Sequence, residues 1–186
     1  MSYKQFDKNG NLVTPSDLQN KSLWCREGEK IEEAFVSKYG DDLNVGINPE
    51  KAINRYAPDL VFIPEDSFVD LKTQNTPFFK AKKLFGIDPS FAVVFNRKDY
   101  ERYGEKYPGI DILFWVEWHS VRFEMGSFKQ EVEYINGVWK ISFKELAKLC
   151  ETAPEHSYQQ RRFDRLGNAK SSFVLDIRDS KFQKVI

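Results

Sequence analysis

The reading of this chain turns on Pro58-Asp59-Leu60-Val61-Phe62-Ile63-Pro64-Glu65-Asp66-Ser67-Phe68-Val69-Asp70-Leu71-Lys72. Two apolar runs, 59–63 and 67–72, flank the turn-forming break Pro64-Glu65-Asp66, so the stretch predicts an antiparallel hairpin. Side chains alternate faces along a strand, which puts Asp70 and Lys72 on one face and Val69 and Leu71 on the other. Asp59 opens the partner strand and comes near Asp70 across the ladder or diagonally. Two carboxylates ~5 Å apart repel by roughly 3 kcal/mol at an effective dielectric of ~20. A cation must offset that repulsion, and oxygen ligands suit Mg²⁺ or Mn²⁺.

Upstream, residues 26–39 carry Ile31, Phe35 and Tyr39 at three-to-four spacing and predict a helix that Gly40 ends. Glu32 has Phe35 and Tyr39 at +3 and +7, so it lies beside the core-facing stripe and can reach the sheet edge. Glu33 and Glu29 are the alternatives: the first has the weaker stripe of Val36 and Gly40, and the second faces solvent beside Glu32. Residues 44–47 predict a short strand, 77–85 a short helix carrying Lys80, Lys82 and Lys83, and 91–95 a buried strand. A helix over 98–106 and an apolar strand over 111–118 follow. Asn136-Gly137, between alternating segments in 131–142, predicts a hairpin. An amphipathic helix over 143–151 leads to a ribbon over 157–178 that turns at Leu166-Gly167-Asn168. Strands and helices alternate without repeat or linker, so the class is α/β (α+β mixed) in one domain over 1–186. Its core spans about 26–118, and 119–186 elaborate it with C-terminal β-hairpins.

The composition narrows the function classes. The chain has 186 residues, 41% hydrophobic and 15% aromatic, enough for one buried core of rings and strands. Its 28 basic residues balance 28 acidic ones, which argues against indiscriminate coating of nucleic acid through a strong positive field. No run is apolar enough to span a membrane, and the first residues have no signal-type stretch. With two cysteines, Cys25 and Cys150, at no metal-type spacing, a cytoplasmic location with free thiols is expected. His119 and His156 stand far apart, which leaves zinc and Ser-His or Cys-His chemistry without support. No phosphate-cradling glycine loop is present.

Pro58-Asp59, ten intervening residues and then Asp70-Leu71-Lys72 resemble the PD-(D/E)xK nuclease superfamily, which includes restriction endonucleases and Holliday-junction resolvases. Gly28-Glu29-Lys30-Ile31-Glu32-Glu33-Ala34-Phe35 is similar to the family's first-helix segment with its acidic residue. The resemblance covers roughly 26–118 and implies a restriction-endonuclease-like mixed sheet flanked by helices. It implies that Asp59, Asp70 and the backbone carbonyl of Leu71 bind Mg²⁺ or Mn²⁺, with Glu32 ligating directly or through water. Lys72 would orient or activate the attacking water, and the product would carry a 5′-phosphate. The implied substrate is nucleic acid, with a DNA endonuclease preferred over an RNA-directed enzyme and a homodimer allowed. Gln74, two residues past the lysine, is at a position often polar in such enzymes. Lys80, Lys82 and Lys83 would hold phosphates of a substrate strand or form a solvated face. The same choice applies to Arg161, Arg162, Arg165 and Lys170, with Tyr158 and Phe163 interleaved. The alternative function is a non-catalytic nucleic-acid-binding or assembly module that keeps the nuclease fold.

The bare acid-x-Lys pattern is common by chance in a chain this charged. Asp179-Ser180-Lys181 repeats it without plausible chemistry. Asp176-Ile177-Arg178 ends an apolar strand with Asp164 upstream, yet it has Arg for Lys and no helix acid. Without the motif, residues 59–72 also read as two strand-end aspartates with Lys72 as their ion-pair partner. His119, at a strand end, reads as a surface or capping residue, and His156 as part of a polar loop. Asp7-Lys8-Asn9-Gly10-Asn11 reads as a tight turn, its Gly too early for a calcium loop.

Overall fold

The computed structural model describes residues 3–13, 21–54, 56–157 and 171–186, and for 21–29 the backbone alone. Strands β1 (Lys4–Phe6) and β2 (Leu12–Val13) come first, joined by the turn that Asp7 organises by accepting the N–H groups of Asn9 and Asn11. Helix α1 (Lys21–Leu43), β3 (Val45–Ile47), a 3-10 turn (Pro49–Ala52), β4 (Leu60–Phe62) and β5 (Ser67–Gln74) follow. Next are α2 (Ala81–Phe85), β6 (Ala92–Asn96), α3 (Arg97–Lys106) and β7 (Asp111–Glu117). The remainder holds β8 (Arg122–Met125), β9 (Phe128–Glu131), β10 (Asn136–Ser142), α4 (Phe143–Cys150), β11 (Glu155–His156), β12 (Ser172–Asp176) and β13 (Gln183–Lys184). The class is mixed α and β, as the alternation of elements predicts.

A six-stranded sheet, ordered β13-β10-β7-β5-β4-β3, carries the molecule. β5 and β7 run parallel, linked through the α2–β6–α3 segment, and the other pairings are antiparallel. The period-2 alternation of a strand explains the two cores. Leu60, Val69, Leu71, Leu113 and Val138 face Phe35 and Tyr39 of α1. Ile112, Phe114, Val116 and Ile141 point the other way, into a larger cluster with Tyr103 of α3 and Leu146 of α4. A three-stranded sheet, β11-β12-β6, adds Phe95, Phe173 and Leu175 to that cluster. A four-stranded sheet is ordered β2-β1-β8-β9.

Three expectations need correction. Helix α1 starts before residue 26 and does not stop at Gly40; it runs to Leu43, and Asn44 follows in the left-handed region at φ 53°. Gly40 serves close approach instead: a Cβ there would meet Val36 Cγ1 and the carbonyl of Val45, each at 3.1 Å. Asn136-Gly137 is not a turn, because both residues lie within β10 and pair with Glu117 and Val116 of β7. The hairpin forms at Gly126-Ser127, between β8 and β9, where Gly126 takes φ 60°. His156 sits in the short strand β11, not a loop, with its ring 4.8 Å from that of Phe78. The expected turn at 166–168 lies outside the described residues, as do Tyr158, Arg161, Arg162, Phe163, Asp164, Arg165 and Lys170.

Gly137 has a steric reason of its own. A Cβ on it would come within 2.8 Å of the Ile186 carbonyl and 3.0 Å of Trp139 Cη2. That carbonyl also accepts the Val138 N–H. Gly137→Ala is therefore expected to lower stability by about 1–3 kcal/mol, through the overpacking it forces. Urea unfolding checks this; an unchanged midpoint means the 183–186 segment gives way freely.

Candidate active site

The expected β4–β5 hairpin forms, with Leu60 opposite Val69 and Phe62 opposite Ser67. This brings Asp59, one residue before β4, beside Asp70 and Leu71. Asp59 Oδ2 accepts the Leu71 N–H at 3.2 Å, which fixes its carboxylate against the strand that carries Asp70. Strand phase puts Asp70 and Lys72 on the face opposite Val69 and Leu71, as the alternation predicts. Lys72 Nζ lies 2.6 Å from Asp70 Oδ2.

On α1, Glu32 is largely covered, at 13% side-chain exposure, and Glu33 is exposed. Helix phase thus separates these two acids as expected. The side chain of Glu29 lies outside the described set. Glu32, Asp59, Asp70 and Lys72 form one linked polar cluster, and four further groups belong to it. Lys51, on the 3-10 turn, donates to Glu32 Oε1 at 2.5 Å and also to Asp59 Oδ1. Asp99 and Tyr103 of α3 flank Lys72, with Asp99 Oδ2 at 2.6 Å and the Tyr103 hydroxyl at 3.4 Å from Nζ. Arg102 closes the arrangement from behind, 2.9 Å from Asp99 Oδ1 and 2.7 Å from the Tyr103 oxygen.

Burial dominates the electrostatics. It lifts Asp70, 2% exposed, to a pKa of about 6, even against the pull of the Lys72 ammonium. Burial also raises Asp59, opposed by Lys72 and reinforced by Glu32. For Lys72 burial works against the charge, but Asp70, Tyr103 and Asp99 outweigh it and hold the ammonium well above the ordinary lysine range. Lys51 is held above its usual value in the same way, burial being overcome by Asp59 and Glu32. Asp99 stays below the usual carboxylate range because Lys72 overrides its burial. Lys72 is therefore a fixed cation, and Asp70 is the acid poised to change state.

The donor chemistry suits a hard divalent cation. Glu32, Asp59 and Asp70 offer carboxylate oxygens and Leu71 a backbone carbonyl. Asp70 Oδ2 is buried and, although close to Lys72, has no aligned hydrogen-bond partner among the described residues. The Lys72 ammonium, 2.6 Å away, is the cation that meets that oxygen. Among the described residues no three His, Cys, Asp or Glu side chains are gathered into a ready cage. Lys51 and Lys72 supply cationic charge to the acids in this arrangement. The donors fit such an ion in kind, with Lys51 moved aside.

The remaining candidates are not drawn into this cluster. The Gln74 side chain donates to the Val94 carbonyl and accepts the Val94 N–H, each at 3.1 Å, so its amide splices β5 to β6. Lys80 is half-buried, and Lys82 and Lys83 are exposed on α2, with Lys83 Nζ 5.9 Å from the centre of the Phe128 ring. Among the described contacts none ties these lysines to Asp59, Asp70 or Lys72. His119 is exposed, its N–H bonded to the Asn75 carbonyl at 2.8 Å. Asp176 pairs with Arg178 at 2.6 Å, and Asp179 with Lys181 at 3.5 Å; both sets close local ion pairs.

Comparison with protein-family models, with curated proteins and with solved structures finds no match for this chain. The geometry of the cluster therefore has to carry the functional argument.

Proposed function

We propose that this protein is a divalent-metal-dependent nuclease, acting first of all as a DNA endonuclease. The observation that carries the reading is the junction of Glu32, Asp59, Asp70 and Lys72 through helix phase, strand phase and one hairpin register. The order helix, antiparallel β3-β4-β5, helix and then β7 parallel to β5 supports a restriction-endonuclease-like core. Three carboxylates on different elements, with a lysine two residues past one of them, can hold a divalent ion and stabilise the charge that develops in phosphodiester hydrolysis. No helix among the described residues is long and apolar enough to cross a membrane. A cytoplasmic setting goes with this reading, as does the free, buried thiol of Cys150.

Asp59, Asp70, the Leu71 carbonyl and Glu32 would hold Mg²⁺ or Mn²⁺. When bound, the ion supplies Lewis-acid stabilisation to the phosphate undergoing attack. The chain's own groups do the rest. Lys72 stays charged and positions the attacking water or the developing oxyanion. Asp99 and the Tyr103 hydroxyl fix the direction of its ammonium, and Arg102 fixes Asp99. Supercoiled, linear, single-stranded and branched DNA, each incubated with Mg²⁺ and with chelator, provide the direct test. Mg²⁺-dependent cleavage of any of them is expected; no cleavage of DNA or RNA in Mg²⁺ or Mn²⁺ defeats the reading.

Two further results are expected. Glu32→Gln lowers cleavage roughly tenfold or more, as loss of a ligand or its water does, whereas the exposed Glu33→Gln leaves it unchanged. The reverse order reassigns the helix acid. Metal binding also depends on pH with a defined sign. Only the ionised form of Asp70 can ligate, so affinity falls by up to about tenfold per unit as pH drops below 6 and flattens above it. Calorimetry in buffers of different ionisation enthalpy should register proton release at pH 6 and almost none at pH 8.

One observation favours a second reading, a nucleic-acid-binding or assembly module without turnover. Glu32 and Asp59 already share the Lys51 ammonium, and Asp70 has Lys72, so every acid has a cation beside it. Such a module would bind nucleic acid yet take up no Mn²⁺ in this cluster.

A further inference from the structure

Lys51 belongs to no motif, yet the chain takes care to place it. The 3-10 turn that carries it is capped by Asn48, whose Oδ1 accepts the Glu50 N–H at 3.0 Å. Asn48 is buried, at 1% exposure, and its Nδ2 donates to the Pro58 carbonyl at 2.8 Å. Its backbone N–H donates to the Asp59 carbonyl at 3.0 Å. The turn is thus pinned to the two residues that open β4, and Lys51 is delivered across Asp59 to Glu32. Its side chain keeps 19% exposure, so it is not sealed in.

We infer that Lys51 is a tethered cation that occupies Glu32 and Asp59 oxygens a divalent ion would use and must withdraw before the ion binds. The inference rests on the metal-dependent reading above. The Lys51 ammonium occupies lone pairs on Glu32 and Asp59, while Asp70 Oδ2 is met by the Lys72 ammonium at 2.6 Å. A Mg²⁺ ion needs its carboxylate oxygens at about 2.0–2.1 Å in near-octahedral order, which an ammonium already bonded to those carboxylates prevents. The two cations also repel at that range, so they exclude each other. Lysine suits the part because its charge is compact and its stem flexible, which lets it leave without moving the backbone. The device keeps Glu32 and Asp59 from repelling each other in the resting protein and raises the metal concentration the site requires.

Mn²⁺ titration at pH 8, read by calorimetry and by the spin resonance of free Mn²⁺, tests this on the full chain. Lys51→Met is expected to bind at least tenfold more tightly than the unmodified protein, and Lys51→Met/Asp59→Asn to lose that gain. Binding seen only in Lys51→Met counts as the same result. Equal or weaker binding by Lys51→Met, with the unmodified protein still binding, overturns the role of Lys51 and spares the metal site. No binding by either protein overturns both. Should Lys51→Met not fold, the unmodified protein answers through the side-chain ¹⁵N resonance of Lys51. Saturating Mg²⁺ is expected to move that resonance to the position of a solvated lysine; a resonance unchanged at saturation refutes the exchange.

Discussion

Asp70→Asn is expected to abolish phosphodiester cleavage, by roughly a thousandfold or more, with the fold intact. The change is nearly isosteric and removes a charge whose burial is already opposed by the protein, since desolvation lifts this carboxyl to about 6. The hairpin register, set by Leu60, Val61 and Phe62 against Val69, Phe68 and Ser67, does not involve the carboxylate. What is lost is the anionic oxygen that would ligate the ion, and removing one strong electrostatic stabiliser alone costs roughly 10²–10³ in rate. Far-ultraviolet circular dichroism and a thermal melt establish folding, and a plasmid-nicking assay reads the rate. A folded variant that cuts at the normal rate would remove Asp70 from the site.

Lys72→Ala is expected to lose roughly 10²–10³ in rate, about 3–4 kcal/mol of transition-state stabilisation, while keeping Mn²⁺ affinity within about tenfold. Lys72 ligates nothing; it is a charge held between Asp70, Asp99 and Tyr103. Its loss therefore falls on the chemical step. Unchanged activity would mean that Lys72 serves only as the ion-pair partner of Asp70 and Asp99. A fall in affinity as large as the fall in rate would mean that it positions Asp70 rather than the water.

How far the sequence discloses this arrangement depends on the distance over which each contact acts. Asp59, Asp70 and Lys72 are legible because a turn and a period of two fix their relation within fifteen residues. Glu32 is legible because Phe35 and Tyr39 set the phase of its helix, and Glu33, one step away, falls on the exposed side. Lys51 is not, since an irregular turn has no period and its placement depends on Asn48 reaching back to Pro58. Asp99 and Tyr103 lie four apart on α3, one face of a helix, and that spacing was the available sign. That α3 crosses over Lys72 follows only from the β5–β7 pairing, which brings together strands some forty residues apart.

Two of the differences between sequence and structure have a common cause. Gly40 and Gly137 predict a stop and a turn because glycine's backbone freedom is the usual reason for its presence. In both places the reason is space: the Val45 carbonyl lies against Gly40 and the Ile186 carbonyl against Gly137. Neither neighbour is adjacent in sequence to the pattern being read. Gly126, with its positive φ, does sit in a hairpin turn. Gln74 has a packing duty as well, since its amide completes the seam between β5 and β6.

The proposed divalent-metal centre comprises Glu32, Asp59 and Asp70, served by Lys72. Anomalous diffraction from a crystal soaked in Mn²⁺ tests it most directly. One peak is expected between the carboxylates of Asp59 and Asp70, with Lys51 turned away. A saturating soak that leaves no peak there, with Lys51 still bridging Glu32 and Asp59, would contradict it.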